Sequence, residues 1–213
     1  MYTSQKMSLI THREVGIDTH SCHHGLKNTL RQAPDVILIG EIRDAETIAH
    51  AIAFAETSHL RLGTLHANSA NQTIDRIINF FPEERRNQLL MDLSANRRAI
   101  ISQRLVRTQD GKGRKAASEI LLNTPTIAKR IFKGEFLEIK VMMAKSIQLG
   151  MRAFDLVLFG LNDGEHISYK EVIRNAGSAN ELLLNIKLNG KRGERGWTQA
   201  ACSRCIIDAE AGG

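Results

Sequence analysis

Two ionisable side chains stand where short apolar runs end. Glu41 closes one run in Asp35-Val-Ile-Leu-Ile-Gly-Glu-Ile-Arg-Asp44, and His66 closes another in Gly63-Thr-Leu-His-Ala-Asn-Ser-Ala70. A carboxylate at the end of a buried strand can orient or deprotonate an attacking water. An imidazole in a polar turn with Thr64, Asn68 and Ser69 suits contact with an anion. Each group also has a plainer reading. Glu41, Arg43 and Asp44 can form a surface charge cluster at a helix start, and His66 can simply hydrogen-bond a nearby backbone group. Ligands of open α/β sheets sit beyond the carboxyl ends of the strands, so the two side chains are aimed at one crevice.

The elements that must position them follow from the same pattern. Residues 36–39 and 60–65 read as buried strands of a parallel sheet, the first apolar throughout. Ser21 caps a helix that ends before Pro34. Asp44 caps a second helix over 45–58, with Ile48, Ile52 and Ala55 on one stripe. This strand–helix–strand order predicts a right-handed βαβ unit. An edge strand is expected over 8–12 and a helix over 70–80. Pro82, with Glu83 and Glu84 in the first turn, opens a helix expected to run as far as Arg104. A hairpin follows over 106–122, around Asp110-Gly111-Lys112-Gly113. Helices are expected over 125–133, 135–148, 152–162, 168–176 and 178–188. The predicted organisation is therefore α/β: a core over 1–122, an all-helical domain over 123–188 and a disordered tail over 189–213.

Composition narrows the function classes. Of 213 residues, 42% are hydrophobic and 24% charged, as in soluble globular chains. No apolar run reaches the ~18–20 residues of a membrane span, and the first residues do not read as a signal peptide. Three cysteines make no disulfide framework, and a reducing cytoplasm is the default. The net charge of +6 permits nucleic acid as a partner, but aromatics are only 5% and are not interleaved with basic residues, so solvated faces explain it better. Arg97, Arg98 and Arg104 are read as the water-facing side of one long helix. His20, Cys22, His23 and His24 with Cys202 and Cys205 offer soft ligands, but a lone Cys-x-x-Cys is a weak zinc signal, and no metal site is expected. Arg13 and Glu14 are either a phosphate-facing arginine with its support or an ordinary surface ion pair.

Several runs together resemble the hexameric secretion ATPases of the PilT/PilU family, the type IV pilus retraction motors. They are Arg13-Glu-Val-Gly-Ile-Asp-Thr19, Leu30-Arg-Gln-Ala-Pro-Asp35, Val36-Ile-Leu-Ile-Gly-Glu-Ile-Arg-Asp44, Ala55-Glu-Thr57, Thr64-Leu-His-Ala-Asn68, Asp75-Arg-Ile-Ile78, Phe81-Pro-Glu-Glu-Arg85 and Gly150-Met-Arg-Ala-Phe-Asp155. The Asn-Phe-Phe-Pro-Glu-Glu-Arg-Arg and Leu-Asn-Thr-Pro-Thr segments look closer to the PilU branch. The resemblance implies a partial RecA-like P-loop NTPase core, with ATP and Mg2+ as ligands. It makes Gly40-Glu41 the end of an atypical Walker B strand, Glu41 the catalytic carboxylate and His66 the His-box sensor. Arg13, Gly40, Arg43 and Thr64 fall on the nucleotide side. The implied partners are like subunits or a full-length paralogue in a six-membered ring, and the inner-membrane pilus platform protein, at a cytoplasmic site beneath the membrane. No Gly-x-x-x-x-Gly-Lys-Ser/Thr loop occurs in the sequence, and that loop supplies most of the grip on phosphates. The expectation is therefore a C-terminal fragment that does not bind or hydrolyse ATP alone. Two non-enzymatic alternatives are an interaction subunit that modulates a full-length retraction ATPase and a nucleic-acid-binding protein.

Overall fold

A computed structural model describes residues 8–56 and 59–178, together with 180, 182, 184 and 186, without the side chains of His23 and Leu30. The tail expected over 189–213, and with it Cys202 and Cys205, lies outside the described residues. The elements follow in the order α1 (Cys22–Leu30), β1 (Val36–Ile39), α2 (Ala45–Glu56), β2 (Leu60–Gly63), α3 (Ala70–Asn79), α4 (Glu83–Asn96), β3 (Ala99–Arg107), β4 (Arg114–Leu122), α5 (Pro125–Phe132), α6 (Phe136–Lys145), α7 (Phe154–Asp163) and α8 (Tyr169–Asn175). A short 3-10 turn, Ile147–Leu149, precedes α7. This is an α/β arrangement. The described residues divide by their contacts into two units: those up to Ala67 with Thr73–Arg98 and Asn123–Glu135, and Asn68–Gln72 with Ala99–Leu122 and those from Phe136 on.

In the first unit, β1 and β2 pair in parallel, Val36 opposite Leu60 through to Ile39 opposite Gly63. One face of this sheet is covered: Ile37 and Ile39 are buried in a cluster with Leu26 of α1 and Phe54 of α2. Arg61, opposite Ile37, lies over the Phe54 ring at 4.5 Å. The other face is open. Val36, Leu38, Leu60 and Leu62 are all exposed, Leu38 at 69%. The apolar run at 36–39 predicts cover on both sides, and among the described residues only one side has it. In the same unit α4 and α5 bury Leu89, Leu93, Ile127 and Ile131. Thr124 caps α5, its hydroxyl accepting from Ile127 N–H, and Pro125 takes the first turn, where its missing donor costs nothing.

The second unit holds the antiparallel pair β3–β4, Ala99 opposite Leu122 through to Arg107 opposite Arg114, turned at Gly111 with φ of 68°. Val106 and Ala117 of this hairpin share a closed core with Phe154 and Leu158 of α7, Val172 of α8, and Ile167, Leu182 and Ile186. Asp155 ties the unit further: it pairs with Lys140 Nζ at 2.7 Å and accepts from Gly177 N–H at 2.8 Å.

Three expectations need correction. Residues 8–12 form no strand. The helix opened by Pro82 stops at Asn96, and the chain continues as β3, so Arg97, Arg98 and Arg104 share no helix. Two of these arginines do not face water. Arg97 caps α4, donates to Asn123 Oδ1 at 2.9 Å, and burial pulls its guanidinium down to about 10. Arg104 lies 4.1 Å over the Phe154 ring and donates to the carbonyls of Asn68 (2.9 Å) and Asn175 (3.1 Å). On β3 the inward positions 100, 102, 104 and 106 read Ile, Ser, Arg, Val, and the outward Ile101 and Leu105 are exposed. Polar Ser102 and Arg104 therefore interrupt the inward apolar face, and helix-forming Gln103, Arg104 and Leu105 dilute the β-branched Ile100, Ile101 and Val106.

Candidate active site

The site lies just past the carboxyl ends of β1 and β2. The last paired residues are Ile39 and Gly63, and the chain stays attached beyond them. Thr64 N–H donates to the Ile39 carbonyl at 3.3 Å, and Ile42 N–H donates to the Thr64 carbonyl at 2.9 Å. The Thr64 hydroxyl donates to the Gly40 carbonyl. Glu41 is thereby held between two anchored neighbours. Asp44 then caps α2, its carboxylate accepting from Thr47 N–H at 2.7 Å, which lowers the Asp44 pKa.

At this point Glu41 and His66 meet. His66 Nε2 lies 3.1 Å from Glu41 Oε1, and the Arg43 guanidinium donates to Glu41 Oε2. Both carboxylate oxygens are therefore engaged by cationic or polarised N–H groups. The Arg43 hydrogen bond and charge, with a smaller contribution from His66, hold the Glu41 carboxyl below its ordinary range. Glu41 in turn raises Arg43. The side chain of Glu41 is 28% exposed, whereas His66 and Arg43 are 79% and 77% exposed, so the pair faces outward and is reachable.

The first turn of α3 follows directly from His66. Ser69 Oγ accepts from Gln72 N–H at 3.2 Å, and Gln72 Oε1 accepts from Asn68 N–H at 3.1 Å, a variant of the capping box. Ala70 N–H donates to the buried Glu119 carboxylate at 2.6 Å. A carboxylate at a helix N-terminus also interacts favourably with the helix dipole. Arg76, further along α3, donates to the His66 carbonyl at 2.9 Å.

The structure thus brings Glu41, His66, Gly40, Arg43 and Thr64 together. Arg13 has its partner elsewhere: it donates to the Gly25 carbonyl at 3.3 Å, beside a turn in which Glu14 N–H donates to Asp18 at 2.9 Å. Sequence reasoning passed over Arg76 and Glu119. Their signal is weak, because an arginine on a polar helix and a glutamate in a hairpin strand are ordinary in type and only their partners mark them. Among the described residues no three His, Cys, Asp or Glu side chains gather to hold a metal, and no helix is long and apolar enough to cross a membrane.

Carboxylate, imidazole and guanidinium thus gather past the carboxyl ends of two parallel strands, where ligands of open α/β sheets bind. The family model "Type II/IV secretion system protein" matches residues 10–153, and the chain belongs to that family. Within it the chain falls with the type IV pilus ATPases of the PilT/PilU group. It is 55% identical to the type IV pilus ATPase PilU of Pseudomonas aeruginosa over 183 residues, 86% of this chain and 48% of that protein. Identity to PilT of the same organism is 41% over 156 residues, 73% of this chain and 45% of that protein. Among solved structures, the pilus retraction motor PilT with bound ADP superposes with a TM-score of 0.78 at 34% identity, covering 86% of this chain and 51% of that one. The chain therefore spans about half the length of the relatives it matches.

Proposed function

We propose that this chain carries the hydrolytic end of a type IV pilus retraction motor, with Glu41 and His66 as the reacting pair. The observation that carries the proposal is the 3.1 Å approach of His66 Nε2 to Glu41 Oε1 at the ends of parallel strands. Magnesium–ATP, when bound, supplies the phosphoanhydride bond and the charge neutralisation of its phosphates. The donor set fits the reacting end of such a nucleotide: a carboxylate for water, an imidazole and a guanidinium for developing negative charge. It does not include the backbone cradle that grips the remaining phosphates.

The electrostatics define how Glu41 works. A carboxyl held below its ordinary range by Arg43 is a weak base. Its part is to accept a hydrogen bond from the attacking water and fix its direction. His66, on the other carboxylate oxygen, senses the terminal phosphate and reports its state to Glu41. Arg43 faces the phosphate with the N–H groups that Glu41 does not use. For Arg13 a nucleotide-side role rests on the resemblance alone, since its hydrogen bond goes to the Gly25 carbonyl.

The working assembly in this reading is a six-membered ring of like subunits or of a full-length relative. It sits on the cytoplasmic side, against the inner-membrane platform of the pilus. These 213 residues hold no phosphate loop, so on their own they are expected not to bind a magnesium–ATP analogue in calorimetry. Stoichiometric binding that weakens in His66→Ala and Glu41→Gln would show that the site forms without the phosphate loop. A second reading, an interaction subunit that modulates a full-length retraction ATPase, is favoured by the open apolar face of β1–β2. Co-purification with such an ATPase separates it from the first.

A further inference from the structure

Thr64 uses every polar group it has on the loop that carries Glu41. Its N–H goes to Ile39, its carbonyl takes the Ile42 N–H, and its hydroxyl goes to the Gly40 carbonyl. These three bonds extend the attachment of the two chains beyond the paired strands, to the residues on either side of Glu41. At Gly63 the Ile42 side chain fills the space a Cβ would take: such a Cβ would stand 2.7 Å from Ile42 Cδ1, the end of a chain that can turn away. A hydroxyl has one hydrogen to give, and here the Gly40 carbonyl takes it. Thr64 is therefore a poor donor to a phosphate oxygen and a good fastener of the backbone.

We propose that Thr64 is a positioning residue for Glu41. It clasps residues 39–42 to the end of β2, fixing the carboxylate at the His66 ring. This inference rests on the reading of Glu41 and His66 as the reacting pair. Groups that hold a reacting side chain in place matter because small misplacements cost rate out of proportion to their size.

The His66 ring is the reporter. In carbon–proton spectra of the full chain, Glu41→Gln gives the His66 signal for a lost carboxylate. Thr64→Val keeps the branched shape and removes the hydroxyl, and it is expected to move the His66 signal in the same direction. Thr64→Ser is expected to restore it. A His66 signal unmoved in Thr64→Val, with the other histidine signals native, overturns the proposal. If Thr64→Val does not fold, hydrogen exchange in the unaltered chain decides. Slow exchange of the Ile42 amide supports the clasp, and exchange at the rate of an unprotected amide overturns it. Where magnesium–ATP turnover is measurable, Thr64→Val is expected to lower kcat at unchanged KM. A raised KM at unchanged kcat makes Thr64 a phosphate contact and overturns its positioning role. A His66 signal that follows Thr64, in a chain whose Glu41→Gln variant leaves the magnesium–ATP turnover of a ring shared with a full-length relative unchanged, refutes the functional reading and supports the clasp.

Discussion

The two sheets of this molecule solve the same problem differently. The β3–β4 hairpin lays Val106 and Ala117 against a closed core with Leu158, Ile167 and Val172 at 0–1% exposure. The β1–β2 pair buries Ile37 and Ile39 on one face and leaves four apolar side chains open on the other. Antiparallel strands joined by a tight turn are complete with one covered face, whereas parallel strands are normally buried on both. The candidate site sits on the less complete sheet. Local stability and the proposed chemistry therefore fall in different regions, as is common where a reacting loop must adjust to a ligand.

The comparison yields tests of decreasing size. Leu158→Ala, in the closed core, is expected to cost about 2–5 kcal/mol by chemical denaturation, from lost burial plus a cavity. A cost below that range would mean the second core is looser than its burial implies. Asp155→Ala removes the partner of Lys140 and of Gly177 N–H, and is expected to cost about 2 kcal/mol or more, with much of it recovered in Asp155→Asn at the Gly177 bond. Leu38→Ser, on the open face, is expected to change stability by less than about 0.5 kcal/mol. A loss as large as that of Leu158→Ala would show this face to be covered in solution. Hydrogen exchange should rank the strands in the same order, with amides of β3 and β4 outlasting those of β1 and β2.

The smallest effect is the pH dependence of Glu41. Its folded pKa is depressed, so its contribution is present above the ordinary carboxylate value of 4.5 and is lost as pH falls through the lower folded value. The Tm gap between the unaltered chain and Glu41→Gln should therefore be constant near neutrality and shrink in acid. A gap that widened in acid would reverse the sign and remove Arg43 as the cause.

Legibility in the sequence followed the same division. The elements around the site could be read because each has a local signal: Pro34 before β1, Asp44 capping α2, and apolar runs ending at Glu41 and His66. The strand β3 could not, because its inward face includes Ser102 and Arg104, and the place of Arg104 is justified only by distant partners, the Phe154 ring on α7 and the carbonyls of Asn68 and Asn175. The pairing of Glu41 with His66 was readable as two strand ends in one fold. That Arg43 would take the second carboxylate oxygen, and that Thr64 would spend its hydroxyl on Gly40, was not, since both depend on backbone geometry past the strands.

The open face of β1–β2 has a consequence for handling the chain. Val36 with Leu60, and Leu38 with Leu62, form two cross-strand rows, and among the described residues neither strand has a second neighbour. Apolar rows beside unpaired strand edges are templates for other chains. Association between chains should therefore rise with concentration, and a charge placed at Leu38 should lower it without touching the reacting pair.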